Sequence, residues 1–239
     1  MEINDDLKEI LSLEELDLIS GLDFESLEDL ENEEIKWLKE RLVCFTGSEF
    51  DRLMGFEEKT NEFPAGAEAY VIEKFLEHET VFEKKNVYTK SIEHGKEFEA
   101  EAIEEFEKRK GLKVEFWGKN QKFLKSGQYV GVTPDGLIGK DEGIETKCPD
   151  SKTHYDWLEN LTVDNFKEKL KKYYWQIQGS MHVTGRKKWY FVSYDPRFKK
   201  EEKRMLILEI PRNEEDILKL KKRLFTAVKK LKERLERFN

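Results

Sequence analysis

Cysteine is scarce in this chain: Cys44 and Cys148 are the only two in 239 residues. Two separated thiols cannot hold an iron–sulfur cluster, do not show zinc-site spacing and build no disulfide framework. A reducing cytosol is therefore the expected setting. Long apolar runs are also missing. No stretch approaches the length that crosses a bilayer, and the acidic N-terminus does not read as a signal peptide. Internal repeats and low-complexity linkers are absent too.

What the chain has is charge and aromatic bulk. Apolar residues make up 38%, aromatics 12% and charged residues 39%, with a net charge of -8. This is enough apolar material for one substantial domain and rules out a disordered chain. A negative total argues against a nucleic-acid binder only if the charge is spread evenly, and it is not. The first forty residues carry fifteen acids and three bases. Lysines and arginines gather later: Lys119, Lys122 and Lys125; Lys167 to Lys172; Arg186 to Lys188; and the run from Lys219 to Arg237. We expect an acidic lead-in segment, residues 1–32, and a single domain, residues 33–239, with a basic groove.

Patterning gives a mixed α/β reading. Pro64 opens a helix whose apolar side is Ala67, Tyr70, Val71 and Phe75. A long amphipathic helix runs from about Ser91 to Lys110 and stops at Gly111. Strands are expected at 113–117, 129–132, 189–194 and 205–210, with a helix over 167–184 between them. Ser48 is expected to cap a short helix through Leu53, and Asn213 to cap the last helix. Helices, sheet, helix, two strands and helix make a mixed sheet with helices on both faces.

The run TPDGLIGKDEGIETKCP, residues 133–149, carries the most chemistry. It reads as a hairpin, with a turn at Pro134-Asp135-Gly136, an apolar strand, a glycine-flanked turn and a second strand ending at Lys147. Strand side chains alternate, so Glu145 and Lys147 share a face and Asp135 can converge on them from the neighbouring strand. Two carboxylates and an ammonium suit a hard divalent cation, the apparatus for cutting a phosphodiester. The same residues also suit a solvated, charged hairpin.

Taken with RLVCFTGSEF, EHGKEFEAEAIEEFE and YWQIQGSMHVTGRKKWYFVSYDPRF, in that order and spacing, this run resembles the lambda-exonuclease and YqaJ-like viral recombinases of the PD-(D/E)xK nuclease superfamily. The likeness covers roughly four-fifths of the chain. It implies a restriction-endonuclease-like core and a Mg²⁺-dependent 5′→3′ exonuclease on linear double-stranded DNA, releasing 5′-mononucleotides and leaving a 3′ overhang for strand annealing. Mn²⁺ should substitute, and Ca²⁺ should bind without turnover. Implied partners are DNA ends, a single-strand annealing protein of the Beta/RecT kind and two further copies in a ring-shaped homotrimer; a phage or prophage protein in a bacterial cytoplasm is the implied setting. An endonuclease or flap-cutting enzyme on the same fold is the alternative, and a DNA-binding scaffold without catalysis a further one.

The resemblance also assigns roles. Asp135, Glu145 and the Thr146 carbonyl would hold metal, with Glu99 acting through water. Lys147 takes the catalytic lysine position, and Gln176 and Gln178 the Gln-x-Gln positions. Arg41, Thr46, Ser48 and Thr133 look like a 5′-phosphate pocket. Thr153 stands where a further arginine is expected, beside Lys152. Ile92 lies where an apolar wedge parts the end base pair. His94 and His182 read as structural, and Trp175, Trp189 and Tyr190 as core.

Overall fold

The computed structural model describes residues 37, 39–59, 62–80 and 90–238, and only the backbone of 90–97. The acidic segment 1–32 lies outside the described residues. Contacts divide the chain into Met1–Glu40 and Arg41–Asn239, and the second unit holds both sheets.

Its centre is a five-stranded sheet of β2 (Val114–Glu115), β5 (Gly136–Ile138), β6 (Glu142–Lys147), β7 (Lys188–Tyr194) and β8 (Met205–Pro211), side by side in that order. β5 and β6 form the antiparallel hairpin, with Leu137 opposite Gly143. Its turn uses Gly139 at φ +48°, a conformation that costs glycine little. β6 and β7 are parallel, with Glu145 opposite Phe191. A parallel pair needs a crossover, and here it contains α3 (Ser151–Asn160), α4 (Phe166–Lys169) and α5 (Lys171–Thr184). A smaller sheet pairs β1 (Phe45–Thr46) with β4 (Val130–Val132), and β4 with β3 (Leu124–Lys125).

Helices cover both faces of the large sheet, as its buried strands require. On one face α2 (Lys90–Lys110) buries Ala102, Ile103 and Phe106 against Ile144, Tyr190 and Val192. On the other, α5, α1 (Ala65–Glu79) and α6 (Glu214–Phe238) enclose Trp175, Trp189, Phe191, Tyr70 and Leu220. Among the described residues no helix is long and apolar enough to cross a membrane.

The ends of several elements follow sequence chemistry. Gly111, at φ +64°, ends α2, and the Asn213 side chain accepts from the Asp216 amide at 3.1 Å to cap α6. Three expectations need correction. The 113–117 strand is only Val114–Glu115, because Phe116 turns away at φ +56°. The 167–184 helix is two pieces, since Leu170 at φ -125°, ψ 51° leaves helical geometry and packs its side chain onto the core. Ser48 lies inside a 3-10 stretch, Gly47–Met54, whose cap position is Thr46, and no side chain caps it.

Gly143 lets the Trp189 indole lie flat across β6. A Cβ there would meet the ring at 2.4 Å, too close for any real contact. Gly143→Ala should therefore cost about 1–3 kcal/mol and lower the melting temperature by about 2–4 °C per kcal/mol. An unchanged melt would show that Trp189 can withdraw.

Candidate active site

The hairpin brings its charged residues to one end of the sheet. Asp135 sits just before β5, and its Oδ2 accepts from the Thr146 amide at 2.7 Å. That bond fastens the start of the hairpin to the end of β6. Strand alternation then places Glu145 and Lys147 on the face that meets α5, while Ile144 enters the opposite core.

Lys147 Nζ contacts three oxygens: Glu145 Oε1 at 2.5 Å, the Thr146 carbonyl at 2.9 Å and Asp135 Oδ2 at 3.5 Å. A cation is therefore what these oxygens already converge on, and they are the same three donors named for a metal. Among the described residues no group of three or more acids, histidines or cysteines could hold a metal. Two carboxylates, one carbonyl and water would have to suffice, which is a donor set suited to a hard ion such as Mg²⁺.

Glu145 is fully buried. Gln176 Nε2 donates to its Oε1 at 2.6 Å, while Oε2 has no hydrogen-bond partner. Burial first, and then repulsion from Asp135, push its carboxyl up to about 8 against the pull of Lys147. A buried carboxylate oxygen without a donor is what a bound cation would satisfy, so the site fits one. Burial alone would pull Lys147 down; Asp135 and Glu145 outweigh it and hold its pKa above the ordinary lysine value. Its ammonium also lies 5.4 Å from the Tyr173 ring.

Glu99 comes from α2, three and four residues before the buried pair Ala102 and Ile103, which puts it at the end of the helix's core stripe. It accepts from Gln121 Nε2 at 3.1 Å. Its charge acts on both Glu145 and Cys148, so it borders the site.

A second group lies nearby. Arg41 Nη1 donates to Thr133 Oγ1, two residues before Asp135. The Arg41 guanidinium also lies 5.3 Å from the Phe123 ring. Thr46 is paired through β1 with Gly131 of β4, and its amide donates to the Tyr70 hydroxyl at 2.9 Å. Ser48 follows two residues later, half-buried. The small sheet thus carries Thr46 and Ser48 on one segment and Thr133 at the end of another.

Other assignments fall elsewhere. Gln178 is fully buried; it donates to the Pro211 carbonyl at 2.9 Å and accepts from the Asn213 amide at 3.0 Å. Its amide is used at both ends to tie α5 to the junction of β8 and α6, and not at the site. Thr153 donates its hydroxyl to Asp150, the residue that caps α3. Ile92 falls in the first turn of α2, and its side chain, like that of His94, lies outside the described residues. Burial holds His182 below the usual histidine range. Trp175, Trp189 and Tyr190 are buried in the cores and cannot stack on bases.

Gln121, Tyr173 and Phe123 do not stand out in the sequence. Tyr173 had a signal, lying three residues before Gln176 on the same helix face. Gln121 and Phe123 had none, because they lie in an irregular segment.

Solved structures of other proteins share the fold, among them two exonucleases. One is an alkaline exonuclease from Laribacter hongkongensis, also solved in complex with dAMP, with 24% identity, a TM-score of 0.71, 85% of this chain covered and 95% of the other. The other is a phage-related exonuclease from Haemophilus somnus, with 18% identity, a TM-score of 0.65, and 82% and 96% covered. No curated protein matches significantly. The model of the YqaJ-like viral recombinase domain matches residues 36–187, from before Arg41 to past Gln176 and spanning the whole hairpin, and the chain belongs to that family.

Proposed function

We propose that the protein is a Mg²⁺-dependent 5′→3′ exonuclease that digests linear double-stranded DNA and leaves a 3′ single strand for annealing. The observation that carries this reading is the short link from Thr133 to Asp135. Thr133 is held by Arg41, and two residues span at most about 7 Å. A terminal phosphate gripped by Arg41 and the nearby hydroxyls would place the adjoining phosphodiester beside the carboxylates. That arrangement selects an end. The family and the two structural neighbours, both exonucleases, support the coarser reading of a DNA exonuclease.

Bound at Asp135, Glu145 and the Thr146 carbonyl, Mg²⁺ would supply charge stabilisation for the phosphoryl oxygens and acidify water. The protein's own groups do the rest. Gln176 holds Glu145 in place with a neutral donor, so it adds no charge to repel a cation. Lys147, which would give up those oxygens to the ion, orients the attacking water and neutralises developing charge. Glu99, positioned by Gln121, accepts from that water. Arg41 offers two parallel donors to a phosphate, while Thr133, Thr46 and Ser48 supply hydroxyls. The ring-shaped trimer and the annealing-protein partner belong to this proposal as well; they would keep the enzyme on its track and receive its product.

Asp135→Asn keeps an acceptor for the Thr146 amide but removes the charge. It should fold and bind DNA while losing more than about a hundredfold in rate on end-labelled linear duplex. In wild type, the 5′ label should be released first and closed circular DNA should survive. Cutting of the circle would replace this reading with an endonuclease, and early release of the 3′ label would reverse the polarity.

Arg41→Gln should bring the rate on 5′-phosphorylated ends down to that on 5′-hydroxyl ends. If the two ends remain as different as in wild type, Arg41 does not read the phosphate.

The raised Glu145 carboxyl sets a pH dependence. Below about 8 Mg²⁺ must displace its proton, so the Mg²⁺-induced rise in melting temperature should grow from pH 6 to 8.5 and then level off. Without metal the sign is opposite. The folded state holds the Glu145 proton more tightly than the unfolded chain, so stability is greatest below the unfolded pKa and falls as pH rises to about 8. Glu145→Gln should flatten both trends, and a Mg²⁺ response that persists in it would place the metal elsewhere.

A further inference from the structure

Between Glu115 and Asp135 the chain has no acidic residue, although it holds 51 acids in all. This stretch contains Lys119, Lys122 and Lys125, all exposed, and none of them is in an ion pair among the described residues. Two of them meet aromatic rings. Lys122 Nζ lies 3.9 Å from the Phe116 ring centre and Lys125 Nζ lies 5.6 Å from that of Phe123. Phe116 is 37% exposed, with its backbone at φ +56°. A side chain in that region is strained, and here the turn leaves an aromatic ring in solvent with a lysine over it.

The segment is anchored to both parts of the site already described. Gln121 reaches Glu99 on the metal side. Phe123 packs over Gly131, where a Cβ would meet its ring at 2.2 Å, and the Arg41 guanidinium also lies over that ring. The strip therefore runs along the path between the carboxylates and the phosphate pocket. Cations spaced along an exposed strip, interleaved with aromatic faces, suit a sugar–phosphate chain whose bases are unpaired. A strip without acids in an acidic protein is also where a polyanion meets least repulsion.

We propose that residues 116–125 form a track for single-stranded DNA at the mouth of the site, with phosphates on Lys119, Lys122 and Lys125 and a base stacked on Phe116 once Lys122 turns to a phosphate. The proposal rests on the nuclease reading above and extends it to the unpaired nucleotides at a DNA end.

The test is fluorescence anisotropy with the full chain carrying Asp135→Asn, without metal, so that binding is read apart from cutting. The probes are a labelled 12-nucleotide single strand, a blunt duplex and the same duplex with a single-stranded tail. In K119Q/K122Q/K125Q, affinity for the single strand should fall at least about tenfold at low salt. The slope of log affinity against log salt should shrink by about 2, at roughly 0.7 per lost phosphate contact. Phe116→Ala should weaken single-strand binding about fivefold or more, with little change on the blunt duplex. Unaltered melting temperatures establish that the variants are folded. A matched change on the last helix, K221Q/K222Q/K232Q, should have a smaller effect; an equal one would mean that only net charge matters and would overturn the track. Equal losses on blunt and tailed duplex would overturn the single-strand assignment. Unchanged binding by the strip variants overturns the track alone, whereas a parent chain that binds no DNA overturns the nuclease reading with it.

Discussion

A carboxylate without solvent sits at the heart of this protein. Glu145 is buried on the central strand of the large sheet, and the arrangement around it answers the cost of burying it. Lys147 supplies a counter-charge, Gln176 one neutral donor, and the Thr146 amide is already taken by Asp135, which draws the second carboxylate close. One oxygen of Glu145 still has no hydrogen-bond partner. A domain built for stability alone would place an apolar residue at that point of the sheet. The penalty is kept at a point where a bound cation would relieve it, as perturbed acids at functional sites commonly are.

The rest of the fold can be understood as support for that point. α2 packs Ala102, Ile103 and Phe106 on one face and so delivers Glu99 to the border of the site. α5 packs on the other face and delivers Gln176 and Tyr173. The break at Leu170 sets where that helix begins. Buried glycines permit close contacts: Gly143 admits Trp189 across β6, and Gly179 admits Phe50 onto α5. These approaches hold the strands and the helix at distances that let short side chains such as Asp135 and Gln176 reach their partners.

The small sheet holds the proposed phosphate pocket. β4 leads from Val132 through Thr133 and Pro134 directly into Asp135 and β5, so the two sheets share one continuous segment. Whatever Arg41 and Thr133 hold is placed by that segment relative to the carboxylates. On the proposed function, cutting and end recognition are therefore mechanically one unit.

Much of this was legible from local patterns. Strand alternation in 142–147 put Glu145 and Lys147 on one face, the glycine-bounded turn defined the hairpin, and Gly111 and Asn213 marked helix ends by their backbone chemistry. Gln178 shows the limit. Its spacing matched that of Gln176, but positions two apart on a helix face different ways, and its amide goes to Pro211 and Asn213. Gln121 and Phe123 lie in irregular chain, where no period announces a role. By itself the sequence determined the order of elements, the hairpin and its charged face, because these depend on neighbours a few residues apart. Only the tertiary structure decided that Glu145 is stripped of water, that Gln176 rather than Gln178 reaches it, and that Arg41 meets Thr133 ninety-two residues away. Burial and long-range contact depend on how whole elements pack, and local sequence does not encode that packing.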